Sequence, residues 1–263
     1  MSFRDGRKLT TLAVVETVRS KQISPHFVRV TVGGEQLDAL EHRGRDHWFR
    51  LFLPHEDGAT SFALPNRLDM MGYLRYLRMP KATRPHLRNY TVREFRPQDR
   101  ELDIDFVVHG TEGVAGPWAL RTEPGDRVAL IDQGCGYDAI PGVTAHLLAA
   151  DESGLPAVAG ILRDLPRDAT GAAYLEIPHA DDAQDTDAPD GVDVHWLVRP
   201  HDARPGSVAL AEVMAHDLPA GPLSAYVVGE QKLPTTVRRW LTGEKGVPKA
   251  NVTCQAYWRV AGR

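Results

Sequence analysis

The chain has 263 residues, a length that suits one large domain or two smaller ones. Its composition, with 42% hydrophobic and 25% charged residues, is typical of a globular protein with a real core, and its net charge of −4 argues against broad nucleic-acid binding. The two cysteines, Cys135 and Cys254, form no CxxC or His/Cys ligand pattern, which argues against a structural zinc or an iron–sulfur cluster, and we expect no metal site.

The chain offers no segment suited to a membrane or to secretion. No window approaches the roughly 20 apolar residues of a membrane span. The N-terminal residues lack the apolar stretch of a signal peptide. We therefore expect a soluble, cytoplasmic protein without a membrane span and without a nucleic-acid partner.

The first half of the chain reads as short strands separated by turns. β-branched and aromatic residues recur in brief runs, and clusters of glycine, proline and polar residues interrupt these runs. The predicted strands are 12–18, 26–32, 48–53, 90–95, 102–108 and 127–131. Many short strands at this spacing favour an antiparallel barrel or sandwich.

Two segments of the first half do not fit the strand pattern. Residues 113–122, GVAGPWALRT, resemble a short helix inserted between the last two strands. Residues 55–86 are too many for a simple hairpin loop, and we expect them to fold over one mouth of the barrel.

From about residue 143 the pattern changes to alternating strands and helices. The run VTAHLLAA at 143–150 is almost entirely apolar, as expected for a strand buried on both faces, and apolar residues at helical spacing follow it in 155–165. The further predicted elements are strands at 172–177, 194–198, 223–228 and 252–258 and a helix at 234–241. This order indicates a doubly wound parallel sheet.

The turn-rich link YDAIPG at 137–142 separates the two patterns. We therefore predict an N-terminal antiparallel β-barrel domain in residues 1–141 and a C-terminal α/β domain with a doubly wound parallel sheet in residues 142–263.

Several short motifs occur in an order that resembles a known family. The first is RNYTVR at 88–93, which fits the R-x-Y-[ST] strand that holds flavin in reductases of the ferredoxin-reductase type. The others are DFVVHG at 105–110, GVAGPWA at 113–119, PGDRVAL at 124–130, ADESGLPAVAGIL at 150–162, VVGEQ at 227–231 and YWR at 257–259. Together they resemble the siderophore-interacting protein family, whose members are FAD-dependent ferric-siderophore reductases, and the resemblance covers nearly the whole chain.

The resemblance implies that the barrel binds FAD and that the α/β domain binds NADPH or NADH as electron donor. Arg88 is suited to the anionic pyrophosphate, Tyr90 can lie along the flavin ring, and Thr91 can hydrogen-bond near the flavin N5. Since residues two apart on a strand share a face, Arg88 and Tyr90 can contact one molecule. The alternative is an exposed edge strand with an ordinary arginine and a packed tyrosine.

The resemblance extends the FAD site beyond this strand. The further residues that it implies are Asn89, Asp105, Val107, His109, Ala115, Gly116, Trp118 and Ala119. Gly116 stands where the family commonly has a serine, so only backbone N–H groups remain as phosphate donors there. His109 has the alternative of an unremarkable histidine at a strand end, and Trp118 can pack against the adenine or simply against the barrel.

In the second domain the resemblance places NAD(P)H at the carboxyl ends of the strands, where open α/β sheets bind ligands. The residues implied are Asp151, Glu152, Ser153, Arg199, Gly229, Glu230 and Trp258. Asp151 or Ser153 would serve equally as a helix N-cap, and Arg199 could form a salt bridge instead of contacting a 2′-phosphate. Trp258 could cover the flavin or nicotinamide site, or only pack.

The substrate implied is a ferric siderophore, which is bulky and often anionic. Arg50 and Arg259 match the family's basic residues in the barrel and near the C-terminus, although each can also be a solvated charge at a strand end. A third match is not evident, and Arg78, Lys81 and Arg84 are candidates by composition only.

The reaction implied is hydride transfer from NAD(P)H to flavin, followed by single-electron transfer to Fe(III). Fe(II) then leaves its hard-oxygen chelator. No catalytic acid or base of the protein is obligatory, so Tyr90 and Thr91 only position the flavin. The alternatives are a related flavin reductase with another acceptor and a siderophore-binding module without turnover. A ferredoxin is a further candidate partner, and the protein can be a monomer or a weak dimer.

Overall fold

A computed structural model describes residues 12–55, 60–109, 113–138, 140–219 and 221–260 of the chain. The chain divides into two compact units. Met1–Arg43 and His47–Cys135 form the first unit, and Gly44–Asp46 and Gly136–Arg263 form the second. The boundary between residues 141 and 142 stays a prediction.

The first unit is an antiparallel barrel, as the sequence predicted. Its elements are β1 (Leu12–Ser24), β2 (Phe27–Gly33), β3 (Trp48–Leu53), α1 (Met70–Arg78), β4 (His86–Thr91), β5 (Glu94–Arg96), β6 (Glu101–Val107), α2 (Ala115–Arg121) and β7 (Arg127–Gly134). The seven strands are ordered β4-β3-β7-β1-β2-β6-β5, and every neighbouring pair is antiparallel.

Alternation along the strands builds the core of this unit. Val30 of β2 lies opposite Ile104 of β6, and both are buried in the main apolar cluster. The next pair along the same two strands is polar: Arg29 lies opposite Asp105, and the two form an ion pair of 2.7 Å. One face of these strands therefore fills the barrel and the other carries charge pairs.

The strand predicted at 90–95 is divided differently in the structure. β4 begins at His86 and ends at Thr91, and a separate short strand, β5, covers Glu94–Arg96. The RNYT motif therefore lies at the end of a strand and not at its beginning. The reason is that residues 86–91 pair with all of β3, whereas β5 pairs with β6.

The long stretch after β3 packs on the outside of the sheet, so the prediction that it covers a mouth of the barrel is wrong. Tyr76 of α1 and Leu64 lie in a cluster with Phe52, Ala129 and Ile131. These three strand residues alternate with Leu51, Val128 and Leu130 of the inner core, so they belong to the opposite face. The sequence also did not reveal that the stretch contains α1.

The second unit is a doubly wound parallel sheet, again as predicted. Its elements are β8 (Ala145–Ala150), α3 (Leu155–Asp164), β9 (Thr170–Ile177), β10 (Gly191–Val198), α4 (Ser207–Ala215), β11 (Leu223–Glu230), α5 (Lys232–Arg239) and β12 (Val252–Trp258). The strand order is β10-β9-β8-β11-β12, and every neighbouring pair is parallel. The helix α4 was not predicted.

Apolar clusters cover both faces of this sheet. On one face α3 buries residues such as Val158 and Ile161 against Leu148. On the other face α4 and α5 bury Val213 and Val237 among their apolar neighbours. Burial on both faces explains why β8 reads as a continuous apolar run in the sequence.

A short segment from the first half of the chain folds with the second unit. The carboxylate of Asp46 accepts hydrogen bonds from the backbone N–H groups of Gly136 and Tyr137 and from the hydroxyl of Tyr226, at 3.0 to 3.2 Å. The Tyr226 hydroxyl lies 2.9 Å from that of Tyr257. Asp46 is buried, and burial raises the pKa of its carboxyl.

Within the described residues, every helix is too short or too polar to cross a bilayer.

Candidate functional site

The strand β4 brings Arg88 and Tyr90 onto one face at the edge of the first sheet. Arg88 lies opposite Leu51 of β3, and Tyr90 lies opposite Phe49; both partners belong to the barrel core. Because opposite residues of an antiparallel pair share a face, Arg88 and Tyr90 point to the same side of β4. The two side chains therefore share one strand face, as expected for residues two apart on a strand.

Arg88 carries a charge that no acidic side chain neutralises in the part of the chain that the structure describes. The residue is exposed, and its Nη1 donates a hydrogen bond of 2.8 Å to the carbonyl oxygen of Leu87. A guanidinium has five N–H donors, so this bond leaves most of them available to a ligand. Asn89 is also exposed, whereas Thr91 is buried.

Tyr90 begins a line of aromatic rings that leads into the barrel. Its ring lies 4.4 Å from that of Phe106, and the ring of Phe106 lies 5.4 Å from that of Trp118, measured between centroids. Burial raises the pKa of the Tyr90 hydroxyl. Trp118 is only 2% exposed, and Ala119 is buried as well, so both side chains pack in the barrel core.

The end of β6 and the start of α2 lie side by side. A Cβ added at Gly116 would lie 3.3 Å from the carbonyl oxygen of Val107, so close packing is one reason for glycine at this position. Ala115 opens α2 and packs against the barrel core. His109 is exposed, with its ring 6.4 Å from that of His26.

Asp105 has its carboxylate engaged by arginines of the barrel. Arg29 donates two hydrogen bonds to it, of 2.7 and 2.9 Å, and Arg93 lies 3.3 Å away. The Asp105 side chain therefore stabilises the strand pair β2–β6, and only its backbone is available to a ligand.

Arg50 lies on a different face of the sheet from Arg88. It lies opposite Asn89, whose side chain alternates with those of Arg88 and Tyr90. Its Nη1 donates a hydrogen bond of 2.9 Å to the carbonyl oxygen of Leu68, just before α1, and burial lowers the pKa of its guanidinium. The structure does not bring the two arginines together on one strand face.

In the second unit, Asp151 lies at the point where the strand order reverses, between β8 and β11. Its carboxylate accepts four hydrogen bonds, from the N–H and hydroxyl of Ser153, the N–H of Glu230 and the indole Nε1 of Trp258, at 2.5 to 3.1 Å. Burial and the charge of Glu152 raise the pKa of Asp151 to about 6.

The close packing around Asp151 also explains why residue 229 is a glycine. A Cβ added at Gly229, whose φ is +127°, would lie 2.7 Å from the Asp151 carboxylate. Both the backbone conformation and the lack of space therefore require glycine here. Asp151 binds the N–H of Ser153 in the turn before α3, but the N-cap residue of α3 is Gly154 and its first turn has no side-chain cap, so neither Asp151 nor Ser153 is the N-cap.

Arg199 is held by two buried carboxylates. It donates two hydrogen bonds to Glu152, of 2.6 and 2.9 Å, and one of 3.0 Å to Glu176. Glu176 also accepts hydrogen bonds from Gly206, Val208 and Ala209, so it caps the N-terminus of α4. Arg199 therefore forms ion pairs within the protein, which was one of the two roles expected for it.

Glu176 was not among the predicted site residues. The signal that could have revealed it is a carboxylate inside the apolar strand YLEI, because a buried charge needs a partner.

Arg259 lies in a shallow basic cleft of about 330 Å³ in the second unit, at the start of α5. The cleft is lined by Arg204, Gln231, Lys232, Thr235, Thr236 and Arg259. Arg204 binds the buried carboxylate of Glu230 through bonds of 2.6 and 3.1 Å, and despite burial this pairing lowers the pKa of Glu230. The sequence did not predict Arg204 or Lys232, because residues distant in the chain form this cleft.

Comparison with known proteins agrees with this two-part arrangement. Residues 16–135 match the family model of the siderophore-interacting FAD-binding domain, and residues 143–261 match that of the siderophore-interacting protein. The chain belongs to the siderophore-interacting protein family.

The relatives of this family member include two named reductases. The ferric vibriobactin reductase ViuB of Vibrio cholerae is 32% identical over 248 residues, which cover 94% of this chain and 89% of ViuB. The NADPH-dependent ferric-chelate reductase of Escherichia coli is 32% identical over 258 residues, covering 96% and 92% of the two chains.

A solved structure extends the similarity to the fold. The siderophore utilization protein from T. fusca superposes with a TM-score of 0.80 at 31% identity, over 96% of this chain and 94% of that one.

Proposed function

We propose that this member of the family is an FAD-dependent reductase that transfers electrons from NADPH or NADH to a ferric siderophore and so releases Fe(II). The observation that carries the proposal is the pairing of Arg88 with Tyr90 on one face of β4, within a unit that matches an FAD-binding domain. The named activities of the two related reductases support the choice of substrate.

The residues of β4 suit the two ends of FAD. Arg88, exposed and without an acidic partner in the described ranges, can bind an anionic pyrophosphate with a bidentate, permanently charged donor. The half-buried ring of Tyr90 is held against Phe106 and can support a flat ring system. Thr91 is buried, and its side chain alternates to the other face of β4. When bound, FAD accepts a hydride and gives up electrons singly.

The remaining predicted FAD residues contribute mainly through the backbone. Val107, His109, Ala115 and Gly116 lie where β6 ends and α2 begins, and their N–H and C=O groups are the ones we assign to the cofactor. Trp118 and Ala119 support this region from within the barrel core.

We assign NAD(P)H to the carboxyl end of the parallel sheet around Asp151. The carboxylates of Asp151, Glu152 and Glu230 are all engaged by internal donors, so they orient the loops. Ser153 and the exposed edge of Trp258 are then the groups that can contact the cofactor. Because Arg199 is neutralised by two glutamates, we assign it a structural role.

We place the ferric siderophore near the basic residues, with Arg259 as its main cation in the second unit and Arg50 as a further candidate. An anionic chelate suits the cleft that Arg259 shares with Lys232. Since NAD(P)H is a cytoplasmic reductant, we also propose a cytoplasmic location. We propose a monomer or weak dimer, with a ferredoxin as the alternative electron source.

The purified protein tests this proposal directly. Under anaerobic conditions a bound flavin should bleach on addition of NADPH or NADH, and its absorbance should return when a ferric siderophore is added, with Fe(II) trapped by ferrozine. Bleaching without reoxidation by any ferric chelate would favour a flavin reductase with another acceptor. Colourless protein that takes up no FAD would refute the proposal.

A further inference from the structure

The helix α1 exposes an unusual amount of apolar surface. Five of the eleven exposed large apolar residues in the described part of the chain belong to this one helix of nine residues. They are Met70, Met71, Tyr73, Leu74 and Leu77, with exposed fractions of 75%, 58%, 43%, 39% and 43%. Scattered apolar residues on a surface are ordinary, but a contiguous group indicates an interaction site.

The apolar residues form a stripe that faces away from the protein. Met70, Tyr73, Leu74 and Leu77 are spaced i, i+3, i+4 and i+7, the spacing that normally packs a helix onto a core. In this helix the buried residues are Gly72 and Tyr76, on the other side. The helix therefore packs through one face and leaves a second apolar face in solvent.

The helix is held firmly in this orientation. Asp69 caps its N-terminus by accepting a hydrogen bond of 2.8 Å from the N–H of Gly72. At the other end, the Tyr76 hydroxyl donates to the carbonyl oxygen of Pro85, and Arg84 donates to that of Leu77, both at 2.8 Å. A rotation that buried the apolar stripe would break these bonds, so the stripe is a stable feature of the surface.

The segment that carries the stripe is rich in positive charge. Between residues 60 and 88 the chain has six cationic residues and one acidic residue, Asp69, whereas the whole chain has a net charge of −4. The cations are Arg67, Arg75, Arg78, Lys81, Arg84 and Arg88. Arg67, Arg75 and Arg78 are exposed, and no acidic side chain pairs with them in the described ranges.

We propose that α1 docks the protein onto the surface of an anionic lipid bilayer, with its apolar stripe in the headgroup region and its arginines against the lipid phosphates. A helix with apolar side chains on one face and arginines beside them is suited to the plane of such a surface. Tyr73 has the apolar body and polar tip that favour this depth.

A second copy of the chain fits the same surface less well. A two-fold interface through α1 would place each group of cations against the identical group of the other copy, and within residues 60–88 only Asp69 carries a negative charge that could offset the repulsion. Because the docking depends on both apolar contact and charge, it should be reversible and sensitive to salt.

Vesicle co-sedimentation of the full chain tests the proposal. We expect binding to vesicles of equal parts phosphatidylglycerol and phosphatidylcholine at low salt, and little binding to phosphatidylcholine alone. The triple variant Met70→Gln, Leu74→Gln, Leu77→Gln, which keeps good helix formers, should bind about tenfold more weakly or worse. The control Met214→Gln, an exposed methionine of α4, should bind like the wild type.

Three results would overturn the proposal. The first is no binding of the wild type to the anionic vesicles at low salt. The second is equal binding by the triple variant with an unchanged circular dichroism spectrum. The third is a wild-type dimer in light scattering that the triple variant abolishes, which would assign the stripe to a second copy. Normal reduction of a water-soluble ferric chelate by the triple variant, together with its loss of vesicle binding, supports the proposal.

Discussion

Two arginines that the sequence presents as similar candidates have different surroundings in the structure. Arg88 is exposed, and within the described residues its guanidinium meets only a backbone carbonyl. Arg199 has a side chain that is only 9% exposed and that lies between Glu152 and Glu176. A cation without a counter-charge is available to an anionic ligand, whereas a buried cation with two carboxylates stabilises the fold. The difference lies in tertiary neighbours, which a motif does not specify.

Replacing Arg88 by alanine should weaken FAD binding by about tenfold to a hundredfold, because a charge-assisted hydrogen bond contributes about 1.5–3 kcal/mol. Titration of the apoprotein with FAD, followed by flavin fluorescence, measures this change. Arg75→Ala removes an exposed arginine of the same unit and is the matched control. Full FAD occupancy in Arg88→Ala would contradict the assignment.

Replacing Arg199 by alanine should destabilise the protein by about 3–5 kcal/mol, because it leaves two buried carboxylates without their partner. Urea unfolding measures this loss. Arg167→Ala, which removes an exposed ion pair with Asp187, should cost about 1 kcal/mol or less. Unchanged stability with a selective loss of NADPH affinity would instead assign Arg199 to the cofactor.

At the scale of elements, the sequence predicted the strands whose burial follows a regular period, but it did not predict elements whose position depends on packing with distant residues. The alternation of β2 and β6 and the apolar run of β8 placed these strands correctly because burial sets their periodicity. The helix α1 was missed because its apolar stripe lies among prolines and arginines and faces solvent. The end of β4 was misplaced because its pairing with β3 is a long-range contact.

Gly72 of α1 should resist substitution although alanine favours helices. A Cβ at this position would lie 1.8 Å from the carbonyl oxygen of Arg67, so the backbone would have to move. We expect Gly72→Ala to cost about 1–3 kcal/mol and to speed hydrogen exchange across α1. Gly243→Ala, where nothing lies within 4 Å of the added methyl group, is the control and should be close to neutral. Equal stability of both variants would contradict this account.

At the scale of the whole molecule, one buried carboxylate joins three strands of the second unit. Asp151 follows β8 and binds the last residues of β11 and β12, Glu230 and Trp258. The two-unit fold could be derived from the sequence because its motifs lie in order along the chain. This network could not, because the motifs do not state which strand ends bind one another.

The raised pKa of Asp151 predicts a pH dependence of stability. Its pKa rises from 3.8 to about 6, so the neutral carboxyl is favoured in the folded state. The stabilisation from this group is complete below about pH 4 and is lost as the pH rises through about 6, a change of about 3 kcal/mol.

Urea unfolding should therefore show that the wild type loses unfolding free energy as the pH rises from about 4 to 7, and that this loss is absent in Asp151→Asn. Asp202→Asn, a change at a fully exposed carboxylate, should follow the wild-type profile. Parallel profiles for the wild type and Asp151→Asn would show that Asp151 titrates normally.

The position of Asp46 bears on how the chain can be cut. A fragment that starts after the first unit would lack this carboxylate, and the N–H groups of Gly136 and Tyr137 and the hydroxyl of Tyr226 would lose their acceptor. The second unit is therefore discontinuous in sequence, so an excised piece needs a graft of residues 44–46 to reproduce its native interior.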